Sequence, residues 1–322
     1  MMGLILALLA ACMAGVASLA AAQDKFDKPV RILVGFPAGG TADLIARVVA
    51  DKLKDTLGVP VIVDNRPGAI GRIAAEAVKN AAPDGTTIMV MPIGPMAVVP
   101  HSTKNLNYDP LKDFTPIALG ATFQFAFAAG PASGAKTWPE FAAWVKANPD
   151  KAAFATSGAG SLPHFFGLLL GTELGVPMLH VAYKGSAAYI NDLIGGQIPA
   201  AIDALADLSE LHRAGKVRIL ASSGSVRSTA LPDVPTFKEL GLPAVQAIGW
   251  FGFFGPANMS RSTVNTLNVA INKALQSVDV LEKLTKVGMD PAPNSPEEFA
   301  RVVNMDYTKW GPIVKMSGFT SD

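Results

Sequence analysis

Phe36-Pro37-Ala38-Gly39-Gly40-Thr41-Ala42-Asp43 lies between two differently patterned stretches. Before it, Val30 to Val34 is a β-rich apolar run. After it, Leu44, Val48, Val49 and Leu53 keep a helical period until Gly58 stops it. Strand, glycine loop, helix is the opening of an α/β unit. Val61-Ile62-Val63 continues it as a second strand, a turn at Asn65-Arg66-Pro67-Gly68 leads to a helix around residues 74–80, and Thr87 to Met91 forms a third strand. Laying Gly40 beside Gly160 shows the same order again, about 120 residues on. Residues 152–155 read as a strand, Thr156-Ser157-Gly158-Ala159-Gly160-Ser161 as a glycine loop, Leu162 to Leu174 as a helix and Ile198 to Ile202 as a closing strand. Two such units predict two α/β domains with mostly parallel sheets. Between them, residues 114–129 and 245–255 are long apolar extended stretches, as a chain needs if it crosses to a second domain and returns. Residues 263–286 read as one amphipathic helix, and Ser295-Pro296-Glu297-Glu298 opens another as a capping box, both expected on the first domain.

The composition narrows the function. The chain has 322 residues, 50% hydrophobic and 16% charged, with 27 Lys+Arg against 26 Asp+Glu. That excludes a disordered chain and a small stapled scaffold, and it leaves room for two cores. A net charge of +1 without a basic run gives no footprint for nucleic acid or for anionic membranes. Residues 1–22 are apolar and carry no charged side chain, ending in Ala20-Ala21-Ala22, and read as a signal peptide cleaved near Ala22. The alternatives are a membrane anchor and, from Leu9-Ala10-Ala11-Cys12, a lipoprotein modified at Cys12. Cys12 is the single cysteine, so a mature chain without it has no disulfide, thiolate nucleophile or Cys-ligated metal.

Backbone amides at a helix start, unmasked by Cβ atoms, make an anion site aided by the helix dipole. The two glycine loops are therefore candidate binding elements, although either one alone is equally a tight turn. Gly158-Ala159-Gly160 lacks the third glycine of a dinucleotide fingerprint, and no phosphate-binding G-x-x-x-x-G-K-[ST] or G-x-S-x-G elbow occurs. The histidines are isolated, so no metal is expected. His164, in the first turn after the second loop, is either site-lining or a capped surface residue. Ser157, His164 and Asp203 form a triad only on paper. Lys184 and Arg66 hold corresponding loop positions and could neutralise an anion. Asp203 ends an apolar strand, where a carboxylate caps the next helix or meets a ligand donor. Phe36 and Tyr183 are candidate walls.

Together with Asp64-Asn65-Arg66-Pro67-Gly68, Ala82-Pro83-Asp84-Gly85, residues 108–114, Tyr183-Lys184-Gly185, Gly195-Gly196-Gln197, residues 231–236 and residues 295–299, these loops resemble the Bug-type receptors, in order, from about residue 27 to the C-terminus. Those are the extracytoplasmic substrate-binding proteins of tripartite tricarboxylate transporters. The resemblance implies an α/β, two-lobed, flytrap-like periplasmic-binding-protein fold. Residues 23–122 and 248–322 would form lobe 1, and residues 123–247 lobe 2. It implies a periplasmic, monomeric, non-enzymatic receptor that takes no cofactor. Such a receptor holds a small carboxylate, a dicarboxylate or an aromatic acid, and delivers it to membrane permease subunits. A sensor without transport role and an exported hydrolase are the alternatives. The candidate ligand-binding residues are Phe36, Ala38, Gly39, Gly40, Thr41, Asp43, Ser157, Gly158, Gly160, Ser161, Tyr183, Lys184, Gly185 and Asp203, as the resemblance implies, and His164 from its place after the second loop. The chain departs from its relatives at Ile70, Arg72 and Ala74, where they usually show Gly, Asn and Gly, and at Ala204, where they show Asn.

Overall fold

The computed structural model describes residues 26–183 and 185–321. The expected signal peptide with its cleavage near Ala22, the expected lipoprotein alternative at Cys12, and Lys184 lie outside the described residues.

The first unit runs β1 (Val30–Val34), α1 (Thr41–Leu57), β2 (Val61–Asn65), α2 (Arg72–Lys79) and β3 (Thr87–Pro92), followed by a short α3 (Val99–Ser102). β4 (Phe114–Ala129) then carries the chain across, and α4 (Trp138–Ala147) opens the second unit. That unit contains β5 (Ala153–Thr156), α5 (Leu162–Leu174), β6 (Leu179–Ala182), α6 (Ser186–Ile194), β7 (Ala200–Ala204), α7 (Leu205–Arg213) and β8 (Arg218–Ser222). β9 (Ile248–Pro256) returns to the first unit, which α8 (Arg261–Leu275), α9 (Val278–Lys286), β10 (Asp290–Pro291) and α10 (Pro296–Met316) complete.

The strands pair in the order β2-β1-β3-β9-β4-β7-β5-β6, with β8 and β10 both on β4. β2, β1 and β3 are mutually parallel, and so are β7, β5 and β6, while the crossing strands β4 and β9 run antiparallel to their neighbours. β4 changes partners along its length. Phe114 to Gln124 pairs with β9, and Phe125 to Ala129 pairs with β7 and β8. These are the two lobes.

Register fixes which way each lobe faces. β3 pairs Pro92 with Phe251 and Met89 with Phe254, and β9 starts at Ile248 opposite Gln124. The C-terminal ends of β1, β2 and β3 therefore point toward Gln124. β7 pairs Ala204 with Phe125 and Ala200 with Ala129, so β7 and its parallel neighbours end toward the same place. Both sets of carboxyl ends open on the junction between the lobes, where open α/β sheets bind ligands.

One lobe 1 core packs Val34, Ile45, Val49 and Ile88 against Leu267 and Ile271 of α8. Lobe 2 is aromatic around β4, with Phe127, Trp138, Phe141 and Phe237 in edge-on contact. The capping box at Ser295 and Glu298 is present and starts α10. The single helix expected over 263–286 is two, α8 and α9, because Ser277 adopts extended φ/ψ and begins a new helix with Asp279 in its first turn. The strand expected at 198–202 lies at Ala200–Ala204, which puts Asp203 inside β7, so that Ala204, and not the aspartate, precedes α7.

Candidate functional site at the junction of the lobes

The first loop is held by a buried carboxylate. Gly39 turns left-handed, at φ 84°, and its N–H donates to Asp43 Oδ2 at 2.8 Å. Arg47 Nε donates to the same oxygen at 2.8 Å, and Asn65 Nδ2 donates to Oδ1 at 2.9 Å and to the Phe36 carbonyl at 3.2 Å. The Arg47 guanidinium, helped by the Gly39 and Asn65 donors, lowers the Asp43 pKa to about 2. Both oxygens of Asp43 are thus occupied by donors of the protein, from the loop, α1 and the end of β2. Residues 37–40 stay exposed, and Gly40 caps α1 with no side-chain acceptor, so the first amides of the helix keep no intrahelical partner.

The second loop repeats this geometry with different chemistry. Gly160 is left-handed at φ 71°, and its N–H donates to His164 Nδ1 at 3.2 Å. Gly39 thus corresponds to Gly160, the cap Gly40 to the cap Ser161, and Asp43 to His164, one residue away from the alignment of Gly40 with Gly160. The left-handed glycine two residues before the helix is the geometric constant. Ser161 turns its hydroxyl to the Gly158 carbonyl at 2.7 Å, so α5 too begins without a side-chain cap. His164 is buried and stacks on His180 at 3.8 Å. Thr156 Oγ1 donates to the Gly158 carbonyl and lies 2.7 Å from His180 Nε2, which makes that nitrogen the donor. Burial pushes both imidazoles down to about 4.

Asp203 ties the rest of lobe 2 together. Its Oδ1 accepts from the Ala204 N–H at 2.9 Å and from Ser157 Oγ at 3.5 Å, and its Oδ2 accepts from Ser186 Oγ at 2.9 Å and Tyr189 OH at 3.0 Å. All four lone-pair directions of the carboxylate are taken. The Gly185 N–H reaches the Ser157 carbonyl at 3.0 Å, which sets the uncapped start of α6 beside that of α5. Tyr183 sends its hydroxyl to Asp192 at 2.7 Å.

The paper triad does not assemble. Among the described residues no hydrogen bond joins His164 to Ser157 or Asp203, and no group of three or more His, Cys, Asp or Glu side chains could hold a metal. Arg66 is paired with Asp64 at 2.9 Å. Sequence reasoning gave no role to Arg47, His180, Ser186 and Tyr189, nor to Asn65 and Thr156, which it noted only as members of loop motifs; all six hold the loops through contacts that residue spacing does not display. A 420 Å³ cavity between α5 and the end of α10, lined by Leu168, Leu169, Val176, Met178, Ile313 and Met316, carries no charged side chain and does not suit an anion.

The family described as "Tripartite tricarboxylate transporter family receptor" matches residues 45–319. The chain belongs to that family. The receptor is 33% identical to protein BugT of Bordetella pertussis over 306 residues, 95% of this chain and 94% of that one. Its fold is similar to that of MatC from Rhodopseudomonas palustris with bound malate, at 33% identity and a TM-score of 0.74, covering 90% of this chain and 100% of MatC. A second R. palustris protein, solved with adipate, is 30% identical with a TM-score of 0.78, covering 92% and 99%. Among the described residues no helix of the receptor is long and apolar enough to cross a membrane.

The two histidines give the receptor an acid-sensitive loop. An imidazole held at about 4 when folded and near 6.5 when unfolded takes up its proton preferentially in the unfolded chain. Its contribution to stability is complete above pH 6.5 and falls as the pH drops toward 4. Urea unfolding midpoints are expected to fall through that window, and His180→Gln should flatten the slope. A midpoint independent of pH there would contradict the burial of the pair.

Proposed function

We propose that the receptor binds a small carboxylate, a dicarboxylate or an aromatic acid, in the crevice between its lobes. It then hands the acid to membrane permease subunits of a tripartite tricarboxylate transporter. The observation that carries this reading is the pair of glycine loops on opposite lobes, each opening an uncapped helix toward the same junction. α1, α5 and α6 at the crevice have no side-chain cap and leave their first amides to another acceptor, in contrast to α4, α8 and α10, which are capped by Thr137, Ser260 and Ser295; α9, away from the crevice, also starts without a side-chain cap. Carboxylate groups suit such donors. Malate and adipate, in the two solved relatives, are both dicarboxylates.

Within this reading Phe36, Ala38, Gly39, Gly40 and Thr41 contact one end of the ligand. Ser157, Gly158, Gly160, Ser161, Tyr183, Lys184 and Gly185 contact the other, with Asp43, His164 and Asp203 as the groups that hold those loops in shape. The lobes divide at 122/123 and 247/248, supported by the change of partner along β4 after Gln124 and by the start of β9 at Ile248. The mature protein begins near Gln23, works in the periplasm as a monomer and catalyses no reaction.

Thermal denaturation of ligand-stripped protein with malate, adipate, aromatic acids, sugars and uncharged amides tests the ligand class. At about 100 times Kd a ligand adds roughly 2.7 kcal/mol, so a fitting carboxylate is expected to raise Tm by about 5–10 °C. Shifts with sugars or amides and none with any acid would refute the reading.

A further inference from the structure

The C-terminal segment joins the two lobes at the second loop. α10 is fixed to lobe 1, where His101 Nε2 lies 2.9 Å from the Tyr307 carbonyl and the two rings lie 4.3 Å apart. Beyond the helix, the Ser321 N–H donates to the Ser102 carbonyl at 2.7 Å, and the Ser321 hydroxyl meets Thr103 Oγ1 at 2.8 Å. Between these two anchors Phe319 reaches lobe 2. Its ring stands edge-on to His164 at 5.4 Å and to Phe165 at 5.9 Å, and a Cβ added to Gly160 would fall 2.7 Å from it. Phe319 therefore covers both partners of the Gly160–His164 hydrogen bond.

We infer that Phe319 is a positioning residue for the lobe 2 loop: mounted on lobe 1, it roofs His164 and Gly160, keeps water from the bond between them, and so holds residues 157–161 in their binding geometry. The inference rests on the carboxylate reading of that loop. An imidazole accepts the Gly160 N–H only while Nδ1 is unprotonated, because an imidazolium presents N–H groups on both sides. The groups around the His164 ring are Phe165 of α5, His180 of β6, Gly160 and Phe319. Among the described residues none of these is a carboxylate, so dryness is what keeps the ring neutral. Removing the Phe319 ring wets one edge of His164, lowers the penalty on its charged form and releases the loop at a higher pH.

The test compares wild type with Phe319→Ala and Phe319→Val, following the His164 imidazole by NMR titration without ligand and measuring adipate and malate binding by calorimetry at pH 7 and pH 5. The wild-type imidazole is expected to titrate near 4. In Phe319→Ala it should move up by about one unit or more toward its ordinary value. Adipate should bind about ten-fold more weakly, as to a loop in its binding geometry about a tenth of the time, with the larger loss at pH 5. Phe319→Val should fall between, and it carries the comparison if Phe319→Ala does not fold. An imidazole titration identical to wild type, or acid affinities unchanged at both pH values, overturns the inference. If wild type binds neither acid, the affinity arm uses whichever acid raises Tm in the thermal screen; a wild type that binds no acid there overturns the carboxylate reading instead, and the ligand-free titration still decides whether Phe319 controls His164.

Discussion

Gly158→Val is expected to lose carboxylate binding by more than about 100-fold while unfolding close to wild type. That loss corresponds to about two charge-assisted hydrogen bonds of roughly 1.5–3 kcal/mol each. A Cβ at Gly158 meets nothing within 4 Å, and its φ lies outside the left-handed region, so the backbone accepts a side chain there without strain. The branches of valine would occupy the space from which an anion approaches the loop amides. Gly39→Val faces equally open space but at φ 84°, so it should also lose about 1–2 kcal/mol of stability. Gly160→Val would strike Phe319 as well as adopt φ 71°, and it serves only as a control for damage to the loop. Calorimetry on the three variants, with circular dichroism to follow unfolding, checks this. Wild-type affinity in Gly158→Val would show that the second loop is only a turn.

Asp203→Ala is expected to be the most destabilising change at the site, by about 2–4 kcal/mol, because it removes a buried acceptor from several donors at once. The hydroxyl of Tyr189 is fully buried and would be left without its partner, and Ser157 and Ser186 would lose the group that fixes loop and helix start side by side. Ligand affinity should fall with it. Asp203→Asn, which keeps one acceptor oxygen and the shape, should recover about half of the stability. Full stability in the alanine variant would mean that water replaces the carboxylate and that Asp203 is not what ties β7, the second loop and α6 together.

Asp43 and Asp203 show how far the sequence could be read at the site. The sequence marks Asp43 as the last residue of the first glycine loop and Asp203 as a carboxylate ending an apolar strand, yet the spacing of residues does not tell whether their oxygens face a ligand or the protein. Asn65 and Ser186 complete the two carboxylate networks from 22 and 17 residues away, and only pairing of strands and packing of helices brings them near. His164 is the same case. Its place in the first turn of α5 was legible, whereas its burial and its stack on His180 depend on β6 lying beside β5.

The sequence by itself determined the repeated strand, glycine loop and helix, the two crossing stretches at β4 and β9, and the capping box of α10. These follow from periodicity and from local hydrogen bonding between near neighbours, which a linear chain displays directly. Tertiary structure alone decided that both sets of strand ends meet at Gln124 and Phe125 and that Phe319 closes over Gly160. Strand order, register and the contacts of a C-terminal aromatic ring arise from burying apolar surface between segments far apart in the chain, and no local pattern encodes which distant surface will be covered.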